Sequence, residues 1–245
     1  MSKNIQRSEE RGGGNYGWLN TKYSFSFSNY FNPNKMGFGV LRVLNDDKIA
    51  GGGGIGTHPH ENMEIVTIPF KGALAHKDST GTDGIINSGD IQIMSAGSGI
   101  FHSEYNVSNT EPVELLQIWI LADKQNIKPR YAQRTFDTSL RQDIFQTVVS
   151  PNGDDKADDF KSPLWINQNS YFALAKINNA KTIEYKINTL GNGIFLFVIE
   201  GSIKIDGEIL NQRDSMEISE GGNIAVEGLE DSFVLVIEVG WVKIS

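Results

Sequence analysis

Residues 57–105 read THPHENMEIVTIPFKGALAHKDSTGTDGIINSGDIQIMSAGSGIFHSEY, and this stretch decides the fold and the chemistry of the chain. The chain has no cysteine, and its only histidines are His58, His60, His76 and His102. A transition-metal site in this protein would therefore need imidazole nitrogens together with carboxylate oxygens. Because all four imidazoles fall within one short stretch, the sequence predicts that any such site is built there.

Two short motifs in this stretch have the spacing of metal ligands. His58-Pro59-His60 places two imidazoles two residues apart, and on a β-strand such residues point to the same face. His102-Ser103-Glu104 repeats the spacing with an imidazole and a carboxylate. Brought together, the two motifs predict a site with three histidines and one carboxylate. That donor set suits Fe, Mn, Ni, Cu or Zn and is too rich in nitrogen for Ca or Mg.

The fourth histidine has a different setting. His76 follows the turn at Gly72 and stands next to Lys77 and Asp78. We interpret it as a polar neighbour of the pocket or a strand-end histidine, with direct metal ligation as the alternative.

The rest of the chain predicts many short strands. Apolar runs at 113–121 (VELLQIWIL) and 232–239 are typical of buried strands, and turn residues separate such runs at close intervals, which favours a sandwich or barrel. The alternation of aromatic and serine residues in 23–28 predicts a further strand, and we expect the aromatic residues of 16–31 to pack inside a barrel. Residues 124–134 are predicted to hold a short helix, and residues 1–14 to form a mobile lead-in.

A weak internal repeat predicts two copies of one β module. Residues 87–97 (NSGDIQIMSAG) align with residues 211–221 (NQRDSMEISEG). The second copy has no histidine and carries residues such as Ile187, Thr189 and Val226 where ligands would fall. We therefore predict three segments: an N-terminal metal-binding module over 1–140, a linker over 141–164 that includes an aspartate-rich stretch, and a C-terminal module over 165–245 without metal ligands.

Composition limits the classes of function. The formal net charge is −8, so the chain lacks the basic surface of direct nucleic-acid binding and is a poor match for anionic membranes. The absence of cysteine excludes disulfides and thiolate chemistry and fits a reducing compartment. The first residues lack the apolar run of a secretory signal, and no apolar segment is long enough to span a bilayer. We expect a cytoplasmic protein.

Taken together, several motifs resemble those of the pirin family of the cupin superfamily. They are Gly17-Trp18-Leu19, Met36-Gly37-Phe38-Gly39, Leu41-Arg42-Val43, Gly56-Thr57-His58-Pro59-His60, Gly89-Asp90-Ile91-Gln92, Ser95-Ala96-Gly97-Ser98-Gly99, His102-Ser103-Glu104, Gln117-Ile118-Trp119-Ile120 and Asp123-Lys124-Gln125. The resemblance implies an all-β fold of two tandem cupin (jelly-roll) barrels, a bicupin, with one metal ion in the N-terminal barrel. It maps the ligands to His58, His60, His102 and Glu104, and it suggests a monomer.

The same resemblance implies an activity. Pirins are associated with quercetin 2,3-dioxygenase activity. In this reaction a metal ion, expected here to be Fe(II), supports cleavage of a flavonol by O2 with release of CO and a depside. In that scheme Glu104 is both a ligand and the general base. Most other cupins take their carboxylate from the first motif, which here is Glu64. The alternative function is a non-enzymatic, iron-dependent redox sensor that binds a protein partner.

Overall fold

The structure is a computed structural model that describes residues 2–220 and 222–241. Within these residues the regular structure consists of β-strands and two 3-10 turns, Ser8–Glu10 and Thr138–Arg141. No helix among them is long and apolar enough to cross a membrane. The strands of the first half are β1 (Ser2–Gln6), β2 (Gly12–Asn15), β3 (Leu19–Tyr23), β4 (Leu41–Ile49), β5 (Gly54–His60), β6 (Met63–Lys71), β7 (Ala73–Asp78), β8 (Asp83–Asn87), β9 (Asp90–Ser95), β10 (Ile100–Asn106), β11 (Val113–Leu121) and β12 (Arg130–Thr135). Those of the second half are β13 (Gln146–Ser150), β14 (Leu164–Trp165), β15 (Ser170–Ile177), β16 (Thr182–Tyr185), β17 (Gly193–Glu200), β18 (Ile203–Ile205), β19 (Glu208–Leu210), β20 (Ser215–Ser219), β21 (Ile224–Gly228) and β22 (Ser232–Val239).

The strands form two barrels with the same plan. In the N-terminal barrel a seven-stranded sheet, in the order β12-β9-β6-β11-β4-β3-β2, faces a four-stranded sheet, β5-β10-β7-β8. In the C-terminal barrel the order β1-β20-β17-β22-β15-β13-β14 faces β16-β21-β18-β19. This arrangement confirms the predicted all-β, two-barrel cupin fold.

The two large sheets pack against each other, and strand β11 shows why. Leu116, Ile118 and Ile120 lie in one apolar core with Phe195 and Leu235 of the second barrel. The alternate residues of the same strand point into the first barrel. A strand that is buried on both faces reads as an almost continuous apolar run, which explains why its bounds match the predicted run 113–121.

The interiors of the two barrels differ in chemistry. The interior of the C-terminal barrel is an apolar cluster that includes Leu196, Met216 and Val226. The N-terminal barrel instead has apolar clusters at its two ends, around Met94 and around Leu74. Between them a polar row crosses the large sheet, strand by strand, in the order Tyr23, Asn45, Gln117, Thr67, Gln92 and Gln133. The N-terminal barrel is therefore the one equipped for polar chemistry.

The internal repeat appears as a repeated turn. Asp90 accepts a hydrogen bond of 2.8 Å from the backbone N–H of Asn87, and Asp214 accepts one of 3.0 Å from that of Asn211. Each aspartate thus fixes the turn before the equivalent strand of its barrel. Residue 221, the end of the predicted repeat, lies outside the described residues.

The sheet pairings differ from several sequence-based expectations. Ser2–Gln6, expected to be mobile and to belong to the first module, pairs with β20 of the C-terminal sheet. Gln146–Ser150, expected to be linker, pairs with β15, so the second barrel starts before residue 165. The helix expected over 124–134 is wrong, because Arg130–Thr135 is a strand on β9. The strand expected over 23–28 ends at Tyr23. In the first three cases pairing with a distant strand overrides the local pattern, and in the fourth the chain folds back at a local bridge between Phe27 and Tyr30.

Candidate metal centre

The small sheet of the N-terminal barrel carries all four histidines. His58 and His60 lie at the end of β5, where the period of two turns both rings to one face. On the neighbouring strand β10, His102 lies directly opposite His58. Glu104, two residues further along, lies opposite His76 of β7. The register therefore gathers residues from three strands on one face.

The rings converge closely. The centroids of the three imidazoles lie 4.4 Å (His58–His102), 4.8 Å (His58–His60) and 4.9 Å (His60–His102) apart. Potential ligand atoms of these three residues all lie within 4.8 Å of one another, and the same holds for His76, His102 and Glu104. His102 belongs to both groups and so joins the first three rings to the carboxylate.

Several donor atoms at this point are buried without a hydrogen bond. Among the described residues, neither ring nitrogen of His102 nor Oε1 of Glu104 has a hydrogen-bond partner. The ring of His58 donates from Nδ1 to the carbonyl of Gly56 at 2.9 Å, in the tautomer that leaves Nε2 free as a donor to an ion. Buried polar atoms are normally satisfied, so this set of unused nitrogen and oxygen lone pairs fits a cation.

The electrostatics keep the imidazoles neutral. Burial, together with the nearby His58, lowers the pKa of His60 to about 4. Burial also lowers the pKa of His102 to about 2, with the surrounding histidines acting in the same direction. Neutral imidazole is the form that binds a metal ion, so these two rings are ready to ligate throughout the neutral pH range.

Glu104 is the carboxylate that belongs to one of these two candidate ligand groups. It is buried, and its Oε2 accepts a hydrogen bond of 2.8 Å from Nε2 of Gln117. Burial raises its pKa to about 7; the bond from Gln117 opposes this, and the charge of Asp47 adds to it. The hydrogen bond to Oε2 thus orients the carboxyl group, and Oε1 has no hydrogen-bond partner among the described residues.

Glu64, the alternative carboxylate, lies elsewhere. Its strand, β6, belongs to the large sheet, and its Oε2 accepts from the hydroxyl of Ser95 at 2.8 Å and from the backbone N–H of Asn167 at 3.2 Å. Glu64 lies four residues after His60, but the period of two does not give the two residues a shared face, because the chain turns between His60 and β6, with Asn62 at a φ of 50°.

His76 is buried behind this cluster. In the tautomer that donates from Nε2, its ring bonds Oδ2 of Asp78 at 3.1 Å, and its centroid lies 5.3 Å from that of His102. Its pKa is lowered by burial, against the opposing effect of Asp78. Nδ1 of His76 is buried without a hydrogen bond among the described residues, so the polar-neighbour interpretation and the alternative of direct ligation both stay predictions.

A cavity of about 320 Å³ opens onto the cluster. His58, His60 and Glu104 form part of its wall, and the remainder is mainly aromatic, with Tyr16, Trp18, Tyr23, Phe27 and Trp119. The aromatic residues of 16–31 were expected mainly to pack the barrel, with a few available to line an apolar pocket, and four of them line this cavity. The signal available in the sequence was the alternation of Leu19, Thr21 and Tyr23, which puts three side chains on the inner face of β3.

Comparison with known proteins places the chain in a family. Residues 4–120 match the pirin family model, and residues 147–239 match that of the quercetinase C-terminal cupin domain. A quercetin 2,3-dioxygenase of Escherichia coli is 38% identical over 236 residues, which is 96% of this chain and 97% of that protein. The chain belongs to the pirin family. A protein named putative quercetin 2,3-dioxygenase from Pseudomonas aeruginosa is also 38% identical, over 93% of this chain and 95% of its own.

Solved pirin structures agree with the fold. The crystal structure of YhhW from Escherichia coli has a TM-score of 0.90 and 37% identity and covers both chains fully. A complex of the bacterial pirin YhhW with nickel(II) has a TM-score of 0.89 at 37% identity, covering 98% of this chain and 100% of that one. A pirin fold with this relation to the present chain therefore accepts a divalent transition metal.

Proposed function

We propose that the N-terminal barrel, predicted to span residues 1–140, binds one divalent transition-metal ion through His58, His60, His102 and Glu104. The support is the set of unpartnered donor atoms that converge on one point, together with the nickel complex of the related pirin. We favour Fe(II) as the working metal, with Mn, Ni, Cu or Zn as alternatives, because the donor set accepts all of them. We propose that the C-terminal barrel, predicted over residues 165–245, holds no metal ion.

We further propose that the protein cleaves the central ring of a flavonol with O2, giving a depside and CO. The observation that carries this proposal is the aromatic-walled cavity that opens directly onto His58, His60 and Glu104. Its volume is at the lower end of the range for small-molecule sites, about 300–1,000 Å³. Both atoms of O2 enter the products, and the electron-rich flavonol supplies the electrons, so no external reductant is needed.

The residues of the chain have definite tasks in this reaction. Glu104, whose Oε1 has no hydrogen-bond partner among the described residues, takes the proton of the flavonol 3-hydroxyl as general base. Gln117 holds the carboxyl by its bond to Oε2. An ion held by His58, His60, His102 and Glu104 would supply Lewis-acid stabilisation of the substrate anion. Trp119 and Phe27, whose rings meet edge to face at 5.3 Å, keep water away from the anion.

We expect the metal-loaded protein to consume O2 when quercetin is added, and a strong chelator to abolish this uptake. An oxygen electrode measures the consumption of O2, and detection of CO measures one product of the proposed cleavage. Readdition of the ion should restore the rate. If fully metal-loaded protein leaves quercetin unchanged, the enzymatic proposal is wrong, and capture of a protein partner that depends on the oxidation state of iron would support the redox-sensing alternative.

The affinity for the metal is expected to fall as the pH drops below about 7. The ion binds the deprotonated carboxylate, and the pKa of Glu104 is raised to about 7, so protons compete with the metal below that pH. His60 and His102, whose pKa values are lowered, stay neutral and add nothing to this dependence. Competition titration against a chelator of known affinity should give a loss of about tenfold per pH unit between about pH 7 and pH 5.5. A flat profile in that interval would contradict the assignment of Glu104 as a ligand.

A further inference from the structure

A group of buried polar side chains lies on the cavity wall away from the histidines. Thr21, Asn45 and Asp47 line the cavity, and their exposed fractions are 1%, 4% and 5%. Among the described residues, Oγ1 of Thr21, Oδ1 of Asn45 and Oδ1 of Asp47 form no hydrogen bond of acceptable geometry. We call these three residues the polar wall. None of the three is among the proposed metal ligands, and none is the proposed acceptor of the substrate proton.

The fold brings the polar wall together on one surface. Thr21 of β3 lies directly opposite Asp47 of β4, and Asn45 is two residues from Asp47 on the same strand, so all three point into the barrel. Asn45 in turn lies opposite Gln117, which bonds Glu104. The spacing of residues and strands puts Thr21 about 12 Å from Gln117, so the wall extends from the metal centre along the cavity.

Three unsatisfied buried polar atoms on one surface call for a ligand. A buried oxygen without a hydrogen bond is costly, and interiors normally avoid it. The side chain of Asp47 offers acceptors when ionised, the Asn45 side chain presents an amide oxygen, and the Thr21 hydroxyl both donates and accepts. The complementary ligand group is therefore a hydroxyl that donates. A carboxylate or sulfate substituent would instead be repelled by Asp47.

We propose that Thr21, Asn45 and Asp47 form a recognition site for the phenolic hydroxyl groups of the substrate, at the end of the cavity remote from the metal. This inference rests on the proposed function, since it takes the substrate to be a flavonol. It assigns the preference among flavonols to this wall: those that carry hydroxyls on their outer rings bind through both ends, and the parent flavonol, which has only the 3-hydroxyl, binds at the metal end alone.

The test compares binding of quercetin and of parent flavonol under anaerobic conditions, where no turnover occurs. Trp18 and Trp119 line the cavity, so quenching of tryptophan fluorescence reports binding independently of activity. In the metal-loaded wild-type protein we expect quercetin to bind at least about tenfold more tightly than the parent flavonol, because hydrogen bonds to charged groups have effects of this size. Asp47→Asn and Thr21→Val, which preserve shape, should reduce that ratio to about threefold or less.

A matched control comes from the next residue on the strand. Asp46 points to the opposite side, where it pairs with Arg11 at 3.1 Å and with Arg213 at 3.5 Å. Asp46→Asn also removes a carboxylate and should leave the binding ratio at its wild-type value. An unchanged ratio in Asp47→Asn and Thr21→Val, or equal binding of the two flavonols to the wild type, would overturn the proposal. If quercetin binds selectively but causes no oxygen uptake, the proposed recognition site stands and the proposed dioxygenase activity is wrong.

Discussion

We expect the Glu104→Gln protein to lose its metal ion, with an affinity at least about 100-fold below that of the wild type, and to lose oxygen uptake with it. Glutamine has the shape of glutamate, so the contact with Gln117 can persist, but the neutral amide oxygen is a much weaker ligand than a carboxylate. Even residues that only orient a ligand change metal affinity by about 10–100-fold, so loss of a direct ligand should cost more. Elemental analysis of protein purified without an affinity metal measures the outcome.

Glu64→Gln is the matched control for this change. Glu64 is also a buried glutamate, but its Oε2 is engaged by Ser95 and by the backbone of Asn167. We expect this variant to keep its metal. Loss of the ion from Glu64→Gln and its retention in Glu104→Gln would reverse the assignment of the carboxylate ligand.

The second large effect is expected in the C-terminal barrel, at Glu238. This carboxylate is fully buried and accepts five hydrogen bonds of 2.8–2.9 Å: from the Tyr185 hydroxyl, from the backbone and side-chain N–H groups of Asn188, from the backbone of Thr189 and from the amide of Asn192. Glu238→Ala removes the acceptor for all five donors. We expect the free energy of unfolding to fall by about 4 kcal/mol and the midpoint of thermal unfolding by about 10 °C.

Calorimetry of the metal-loaded protein measures this destabilisation. Glu200→Ala, which truncates an exposed glutamate at the end of β17 in the same sheet, is the control and should change the free energy of unfolding by no more than about 0.5 kcal/mol. The metal content at low temperature should be unchanged in both variants. A shift of the Glu238→Ala midpoint similar to that of the control would mean that the loop 186–192 is held by other contacts.

The sequence predicts most of the candidate metal centre because the proposed ligands lie in two short motifs. His58 and His60 share a face through the period of a strand, and the motif with Glu104 repeats that spacing, so the geometry within each pair needs no knowledge of the fold. Predicting that β5 and β10 are neighbours, with His102 opposite His58, needs the tertiary pairing. The polar wall was missed for the same reason, because Thr21 and Asp47 meet only through the register of β3 on β4.

The sequence predicted the strands that are buried on both faces. It failed to predict strands that are polar. Ser232–Val239 is apolar apart from Ser232 and Glu238, and its bounds match the predicted run. Ser2–Gln6 has one apolar residue, Ile5, and becomes a strand only because β20 offers it hydrogen bonds. Local composition cannot report a partner that lies more than 200 residues away.

The pairing of Ser2–Gln6 with β20 also links the two barrels, because a strand that precedes the N-terminal barrel in the chain belongs to the sheet of the C-terminal barrel. Ser2–Gln6 is synthesised more than 200 residues before the strand with which it pairs. A newly made β20 that has not yet paired with it would present open backbone donors and acceptors, the kind of surface on which other chains can add a strand and aggregate. Ser2–Gln6 thus protects this edge of the C-terminal sheet.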